Sequence, residues 1–171
     1  MSGNVRLVRF DTSFENRTVM RIAEFFGFHR SLSDGSCEIN EGHIKAAGET
    51  LGEWLVPPSE LYVIISGDCD VGFIRLSYRG SNVAWIEDIF VDKEHRGCGI
   101  ASCAVGLAED MIRSDPNYTA VCIDAVPRNS SALRLYRRLG YDTLSIVTLR
   151  KDFGGNDRDR TVGIDGVEFK Y

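Results

Sequence analysis

A chain of 171 residues with 43% hydrophobic side chains is long enough for one well-formed core and too short to suggest two. Its 20 basic and 25 acidic groups leave a formal charge of −5 with no long basic stripe, which argues against nucleic acid as a partner. No apolar run approaches the ~20 residues of a membrane span, and the N-terminus lacks the apolar segment of a signal peptide, so a single-domain, soluble, cytoplasmic protein with no membrane partner is expected.

Val5 to Phe10 reads as a first strand, and Thr12 or Ser13 is placed to cap a helix that runs to about Phe28, with Val19, Ile22, Ala23 and Phe26 on one face. A Ser/Asp/Gly-rich loop over 31–36 follows. A second helix from about Ile39 to Leu55 repeats Ile44, Ala47, Leu51, Trp54 and Leu55 at helical spacing before Pro57-Pro58 stops it. Three strands come next, Leu61 to Ser66, Val71 to Tyr78 and Asn82 to Val91, joined at Gly67-Asp68 and Arg79-Gly80-Ser81.

The run Arg96-Gly97-Cys98-Gly99-Ile100-Ala101 then lies between that last strand and a helix carrying Ile100, Cys103, Ala104, Leu107, Ala108, Met111 and Ile112 on one stripe. A strand that turns through two glycines into a helix builds an anion cradle. The glycines admit close backbone approach, free N–H groups point at the ligand, and the helix dipole adds about half a positive charge. No Gly-x-x-x-x-Gly-Lys-Ser/Thr loop is present, and the dinucleotide pattern Gly-x-Gly-x-x-Gly lacks its third glycine, so a P-loop nucleotidase and a dinucleotide or flavin binder are disfavoured.

Thr119 to Val126 reads as strand. Asn129 can cap a helix whose apolar stripe is Ala132, Leu135, Tyr136 and Leu139, Gly140 can end that helix in the left-handed region, and Asp142 to Leu149 reads as strand again. The stretch from Lys151 to Arg160 is charged and glycine-rich, as a flexible connector would be. A hairpin of Thr161 to Ile164 and Val167 to Tyr171 turns at Asp165-Gly166. This order of elements points to an α/β (α+β) fold, a mixed and mostly antiparallel sheet flanked by helices, with an extra C-terminal hairpin.

Two segments carry a family resemblance. The loop from Arg96 to Ala101 resembles Arg/Gln-x-x-Gly-x-Gly/Ala, the acyl-CoA pyrophosphate loop of the GNAT superfamily of N-acetyltransferases. About thirty residues later, Asn129-Ser130-Ser131-Ala132-Leu133-Arg134-Leu135-Tyr136-Arg137-Arg138-Leu139-Gly140-Tyr141 is similar to that family's Asn-x-x-Ala-x-x-x-Tyr-x-x-x-Gly-Phe/Tyr at every defined position. A shorter stretch, Ile86-Glu87-Asp88-Ile89-Phe90-Val91, looks like Leu-Glu-Asp-Phe-Phe-Val of spermidine-type (polyamine) acetyltransferases. The likeness covers roughly residues 4–150 and implies acetyl-CoA as cosubstrate, no metal, and a primary amine as acceptor. That amine is a polyamine or other small amine, an aminoglycoside, or a protein N-terminus or lysine. The tail after 150 lies outside the family core and is open to three roles, a lid, a homodimer contact or an edge strand. A non-catalytic acyl-CoA sensor is the competing class.

Acetyl transfer to an amine needs a neutral nucleophile, a stabilised oxyanion and a proton for the departing thiolate. At pH 7 an amine of pKa about 10.4 lies about 3.4 units from neutrality, which costs on the order of 4.6 kcal/mol, so a base is expected. Strict alternation puts Val83, Trp85, Glu87, Ile89 and Val91 on one face, where a lone carboxylate in an apolar row would titrate high and suit that work, unless a bulge breaks the pattern. Glu87 is therefore the first candidate and Asp88 the second.

The resemblance supplies the remaining roles. Tyr136 is the acid for the thiolate, although on its own a tyrosine on an apolar stripe suits core packing. Asn129 and Ala132 contact the pantetheine arm. Phe90 and Val91, left unpaired where the strands splay, offer backbone groups to pantetheine and to the thioester carbonyl, and Ile89 beside them counts among the cofactor-binding residues. Arg96, Gly97, Cys98, Gly99, Ile100 and Ala101 hold the pyrophosphate chiefly through main-chain N–H groups. His95 suits a loop role better than catalysis, while His29 and His43 carry no assignment. The five cysteines, at 37, 69, 98, 103 and 122, show no zinc spacing and read as reduced, mostly buried thiols.

Overall fold

The computed structural model describes residues 4–35, 38–151, 153 and 158–171. The chain divides into two compact units, Met1–Asp124 and Ala125–Tyr171. In the first, β1 (Val5–Arg9) leads through a short 3-10 turn into α1 (Glu15–Asp34) and α2 (Glu41–Trp54). Then come β2 (Ser59–Ser66), β3 (Cys69–Ser77), β4 (Val83–Val91), α3 (Ile100–Arg113) and β5 (Ala120–Ile123). The strands form one sheet in the order β1-β2-β3-β4-β5, antiparallel except for the parallel β4–β5 pair.

Turn chemistry sets the helix ends. Asp11 caps the 3-10 turn, accepting the Ser13 N–H at 2.8 Å, and α1 itself starts after Phe14 with no side-chain cap, where Thr12 or Ser13 was expected to supply one. The loop expected over 31–36 is helical as far as Asp34, because the chain continues until Gly35 takes a left-handed φ of 75° and ends it. Residue 36 of that loop lies outside the described residues. At α2, the Asn40 side chain accepts the His43 N–H at 3.0 Å while His43 Nδ1 faces the Asn40 N–H at 3.3 Å, a reciprocal cap that accounts for His43 structurally.

The helices cover opposite faces. On one, α1 and α2 contribute Ile22, Ala23, Phe25, Ala47, Leu51 and Trp54, which pack with Leu61, Phe73 and Phe90 of the sheet. On the other, α3 packs on β1 and β4 and buries Ile100, Ala104, Val105, Ala108 and Ile112. Cys103, Leu107 and Met111, expected on the same stripe, flank it half-buried. Gly72 of β3 stands where a Cβ would meet the Phe90 carbonyl oxygen at 2.1 Å. Gly72→Ala is expected to force β3 from β4 and cost about 1–3 kcal/mol, several degrees of Tm by thermal denaturation.

The second unit holds α4 (Ser130–Arg138) and a two-stranded hairpin of β6 (Thr161–Ile164) and β7 (Val167–Lys170), as the sequence leads one to expect. The expected strand over 142–149 does not form. Its residues belong to none of the ladders among the described residues, and Leu144, Ile146, Val147 and Leu149 are exposed. A strand exists only through a hydrogen-bonded neighbour, which apolar composition alone does not supply. Of the expected connector, residues 152 and 154–157 lie outside the described residues.

Candidate active site

The loop from Arg96 to Ala101 turns through its two glycines into a helix. After a 3-10 turn over Lys93–His95, Gly97 and Gly99 take φ of 78° and 81°, and α3 begins at Ile100. The first intrahelical bond runs from the Cys103 N–H to the Gly99 carbonyl at 3.0 Å, so the N–H groups of Ile100, Ala101 and Ser102 precede the ladder. Gly99 brings no side chain to cap them, and no acidic residue stands in the first turn. A Cβ on either glycine would meet nothing within 4 Å, so the left-handed backbone and not crowding requires glycine. Gly99→Ala is expected to raise the KM for an anionic cosubstrate about tenfold, since roughly 1–2 kcal/mol of strain must be met in holding the loop. Steady-state kinetics would check it. Cys98 is exposed, its Sγ 3.7 Å from the Arg96 carbonyl, and Cys69 is exposed too. Cys103 and Cys122 are half-buried, so the cysteines are less buried than expected; Cys37 lies outside the described residues.

Beside the cradle, β4 has an open edge. It pairs with β5 only from Val83 with Ala120 to Ile86 with Ile123, and among the described residues no strand pairs with that side of β4 beyond Ile86. On its other side, the Asp92 N–H donates to the Val71 carbonyl at 2.9 Å, and the same register continues through Val91 with Gly72, Phe90 with Phe73 and Ile89 with Ile74. Antiparallel pairs alternate between facing inward and outward. The backbone of Phe90 is therefore turned to Phe73, while the N–H and carbonyl of Ile89 and Val91 face the open edge. Phe90, whose backbone was expected to be free, instead contributes a buried ring to the core.

The expected face assignment of β4 is overturned by a β-bulge. Asp88 is opposite Arg75 but Ile86 is opposite Leu76, so Glu87 is the extra residue. The slip places Trp85, Glu87, Asp88 and Phe90 on the α1–α2 side and sends Ile89 to the α3 side. Glu87 does not sit in an apolar row but among charges. Its Oε1 accepts from Arg79 Nε at 2.9 Å, its Oε2 is 4.0 Å from Arg75, and its side chain is 13% exposed. Asp88, 15% exposed, takes two contacts from Arg75, at 2.7 Å from Nε and 2.6 Å from the terminal nitrogen.

The arginines are held on indole faces, Arg75 4.7 Å from the Trp54 ring centre and Arg79 4.1 Å from that of Trp85. Burial pushes the Asp88 carboxyl above its ordinary range, against the pull of Arg75. His29 on α1 packs edge-on to Phe25 with ring centres 4.4 Å apart, and burial lowers its imidazole pKa while Asp88 opposes the shift.

In the second unit, Asn129 caps α4. Its Oδ1 accepts from the Ala132 N–H at 3.2 Å and from the Ser131 hydroxyl at 2.9 Å. Gly140, at φ 98°, ends the helix, and the Tyr141 N–H returns to the Tyr136 carbonyl at 3.0 Å. Tyr136 is 8% exposed, with Ala132, Leu135 and Leu139 on the same, less exposed side. Its ring meets that of Tyr141 edge-on at 5.9 Å.

The sequence profile of the acetyltransferase (GNAT) family matches residues 23–141, a span that includes both motifs. The chain belongs to the GNAT family. A search of curated proteins returned no match to this GNAT chain, whereas 229 solved chains resemble it. One is a transcriptional regulator from Bacillus halodurans C-125, 22% identical with a TM-score of 0.66, covering 88% of this chain and 100% of that one. Another is the aminoglycoside acetyltransferase meta-AAC0020 from an uncultured soil metagenomic sample, in complex with sisomicin. It is 17% identical with a TM-score of 0.58 over 87% and 96% of the two chains. A third is AAC(6')-Iy bound to a bisubstrate analogue, CoA-S-monomethyl-acetylneamine, 17% identical with a TM-score of 0.57 over 88% and 99%. At these identities the likeness is one of fold, and it gives the GNAT chain its mixed sheet flanked by helices.

Sequence reasoning missed Arg75, Arg79, Trp54 and Trp85, which surround the two carboxylates of this GNAT chain. The one local signal was a lone arginine in the apolar strand Val71–Ser77.

Proposed function

We propose that this chain moves an acetyl group from acetyl-CoA to a primary amine by direct attack in a ternary complex. One observation carries the reading: a single strand, β4, has an anion cradle after its C-terminal end, an edge at Ile89 and Val91 with no strand partner among the described residues, and two carboxylates at its bulge. An uncapped helix start flanked by left-handed glycines suits a pyrophosphate, and an open strand edge suits the amide-bearing pantetheine arm, which binds as an added strand would. Gly97, Cys98, Gly99, Ile100 and Ala101 would hold the phosphates through main-chain groups. Asn129 and Ala132 take part in seating the arm.

In this proposal Glu87, directly or through water, takes the proton of the amine. Asp88 is pinned by two contacts from an arginine that is itself 19% exposed, whereas the Arg79 that holds Glu87 is 49% exposed and comes from the β3–β4 connection. Displacing Arg79 from Glu87 therefore disturbs the packing less than displacing Arg75 from Asp88. The nitrogen attacks the thioester carbonyl, whose oxygen gains charge and accepts from N–H groups on the open edge. Tyr136 donates its phenolic proton to the departing thiolate, and a thiol of pKa about 8.5 leaves readily enough that this adds about 10²-fold.

The test is chromatographic detection of CoA released from acetyl-CoA across a panel of polyamines, aminoglycosides and peptides. Release with one class establishes the transfer and identifies the acceptor group. Tight acetyl-CoA binding without release across the panel would instead support a sensor.

A further inference from the structure

The Arg96 side chain does not extend toward the phosphate cradle it begins. Its Nε donates to the Val91 carbonyl at 2.7 Å in a partly buried bond, and its guanidinium lies 5.0 Å from the ring centre of Phe90 and 5.3 Å from that of Phe28 on α1. Its charge also acts on Glu24, one turn back along α1. Three independent contacts fold this side chain back onto β4 and α1.

The contact falls on one of the two residues whose backbone faces the open edge. An unpaired Val91 carbonyl there would present a negative dipole beside the oxygen that gains charge in acyl transfer. A charge-assisted bond from Arg96 cancels that dipole and leaves the edge rich in N–H donors. The geometry points to Arg96 as a positioning residue for the thioester, acting through Val91, and not as a reader of phosphate. The inference rests on the acyl-transfer reading above. It separates two roles that a loop arginine can take. A phosphate reader strengthens ground-state binding of acetyl-CoA and shows in KM. A residue that sets the donor character of the edge acts where charge develops, and shows in kcat.

The experiment compares acetyl-CoA with S-acetyl-pantetheine, which has the same thioester and no phosphate, in wild type, Arg96→Ala and Arg96→Gln. Arg96→Ala is expected to lower kcat roughly 10- to 100-fold with both donors and to change KM little. Arg96→Gln, which keeps a planar N–H donor, should retain kcat within about threefold of wild type. A penalty confined to the KM for acetyl-CoA and absent with S-acetyl-pantetheine would overturn the assignment. Near-UV circular dichroism of both variants shows whether the fold is retained, and the Gln variant decides the matter if the Ala variant is misfolded.

Should wild type release no CoA with any amine, the transfer reading fails, and the carbonyl stretch of bound S-acetyl-pantetheine, read by isotope-edited infrared difference spectroscopy, decides this one alone. A lowered frequency in wild type that is lost in Arg96→Ala and restored in Arg96→Gln supports it. The same frequency in all three overturns it.

Discussion

Glu87→Gln is expected to lower kcat by 10²-fold or more, the range that removal of a positioned base costs, while leaving Tm and the KM for acetyl-CoA near their wild-type values. Asp88→Asn should do the reverse, with a smaller loss of rate and a higher Tm at pH 7. The bulge aims two consecutive carboxylates at the same side of the sheet, where Arg75 and Arg79 meet them. Arg75 holds Asp88 through two contacts beside the Trp54 ring, which keeps that carboxylate from an incoming amine in the proposed reaction. Glu87, held by the half-exposed Arg79 at 2.9 Å and by Arg75 only at 4.0 Å, is the carboxylate proposed to take the proton of the amine. Steady-state rates and melting curves of the two variants separate these roles. A deep loss of rate in Asp88→Asn with Glu87→Gln nearly normal would transfer the base role to Asp88.

The Tm prediction for Asp88 follows from its titration. Burial raises its folded pKa above the unfolded value, so the folded chain holds that proton more tightly than the unfolded chain does. Its contribution to stability is fully present below the unfolded carboxylate range, near pH 4, and is lost as pH rises through the folded pKa. Wild type and Asp88→Asn should therefore melt alike at acid pH and diverge as pH rises toward 7, with the variant higher.

The cradle was legible because it is local. Two glycines between a strand and an amphipathic helix dictate a left-handed turn and an uncapped helix start whatever surrounds them, and Gly97 and Gly99 adopt that turn. Asn129 and Gly140 were legible for the same reason, as a cap and a stop written within one helix. The bulge was not. A period-two reading of Val83 to Val91 assumes an unbroken ladder, and one extra residue reverses the face of everything after it, so Ile89 and Phe90 exchange sides. Arg79 and Trp85 lie six residues apart across a hairpin, and Trp54 meets Arg75 from another element, so no spacing rule announces either contact. The strand expected over 142–149 failed in the opposite way, because its composition was suitable and its partner was missing from the ladders among the described residues.

Tyr136→Phe is expected to lower kcat about 10²-fold while leaving acetyl-CoA affinity largely intact. Removing one oxygen leaves the ring, and the ring does the packing. Tyr136 is buried with Leu135 and Leu139 on its side of α4, and it meets Tyr141 edge-on. A tyrosine that serves only through its ring keeps its packing as phenylalanine, whereas a proton donor loses its function outright. The two roles diverge further with the leaving group. A thiolate of ordinary pKa departs slowly without a proton, and one of lower pKa departs without help, so the penalty should shrink when an acetyl ester of an acidified aryl thiol replaces acetyl-CoA. Stopped assays with both donors measure this directly. A penalty that is the same with each would mean that the phenol positions α4 or the substrate, and equal activity of the variant with acetyl-CoA would remove Tyr136 as the acid.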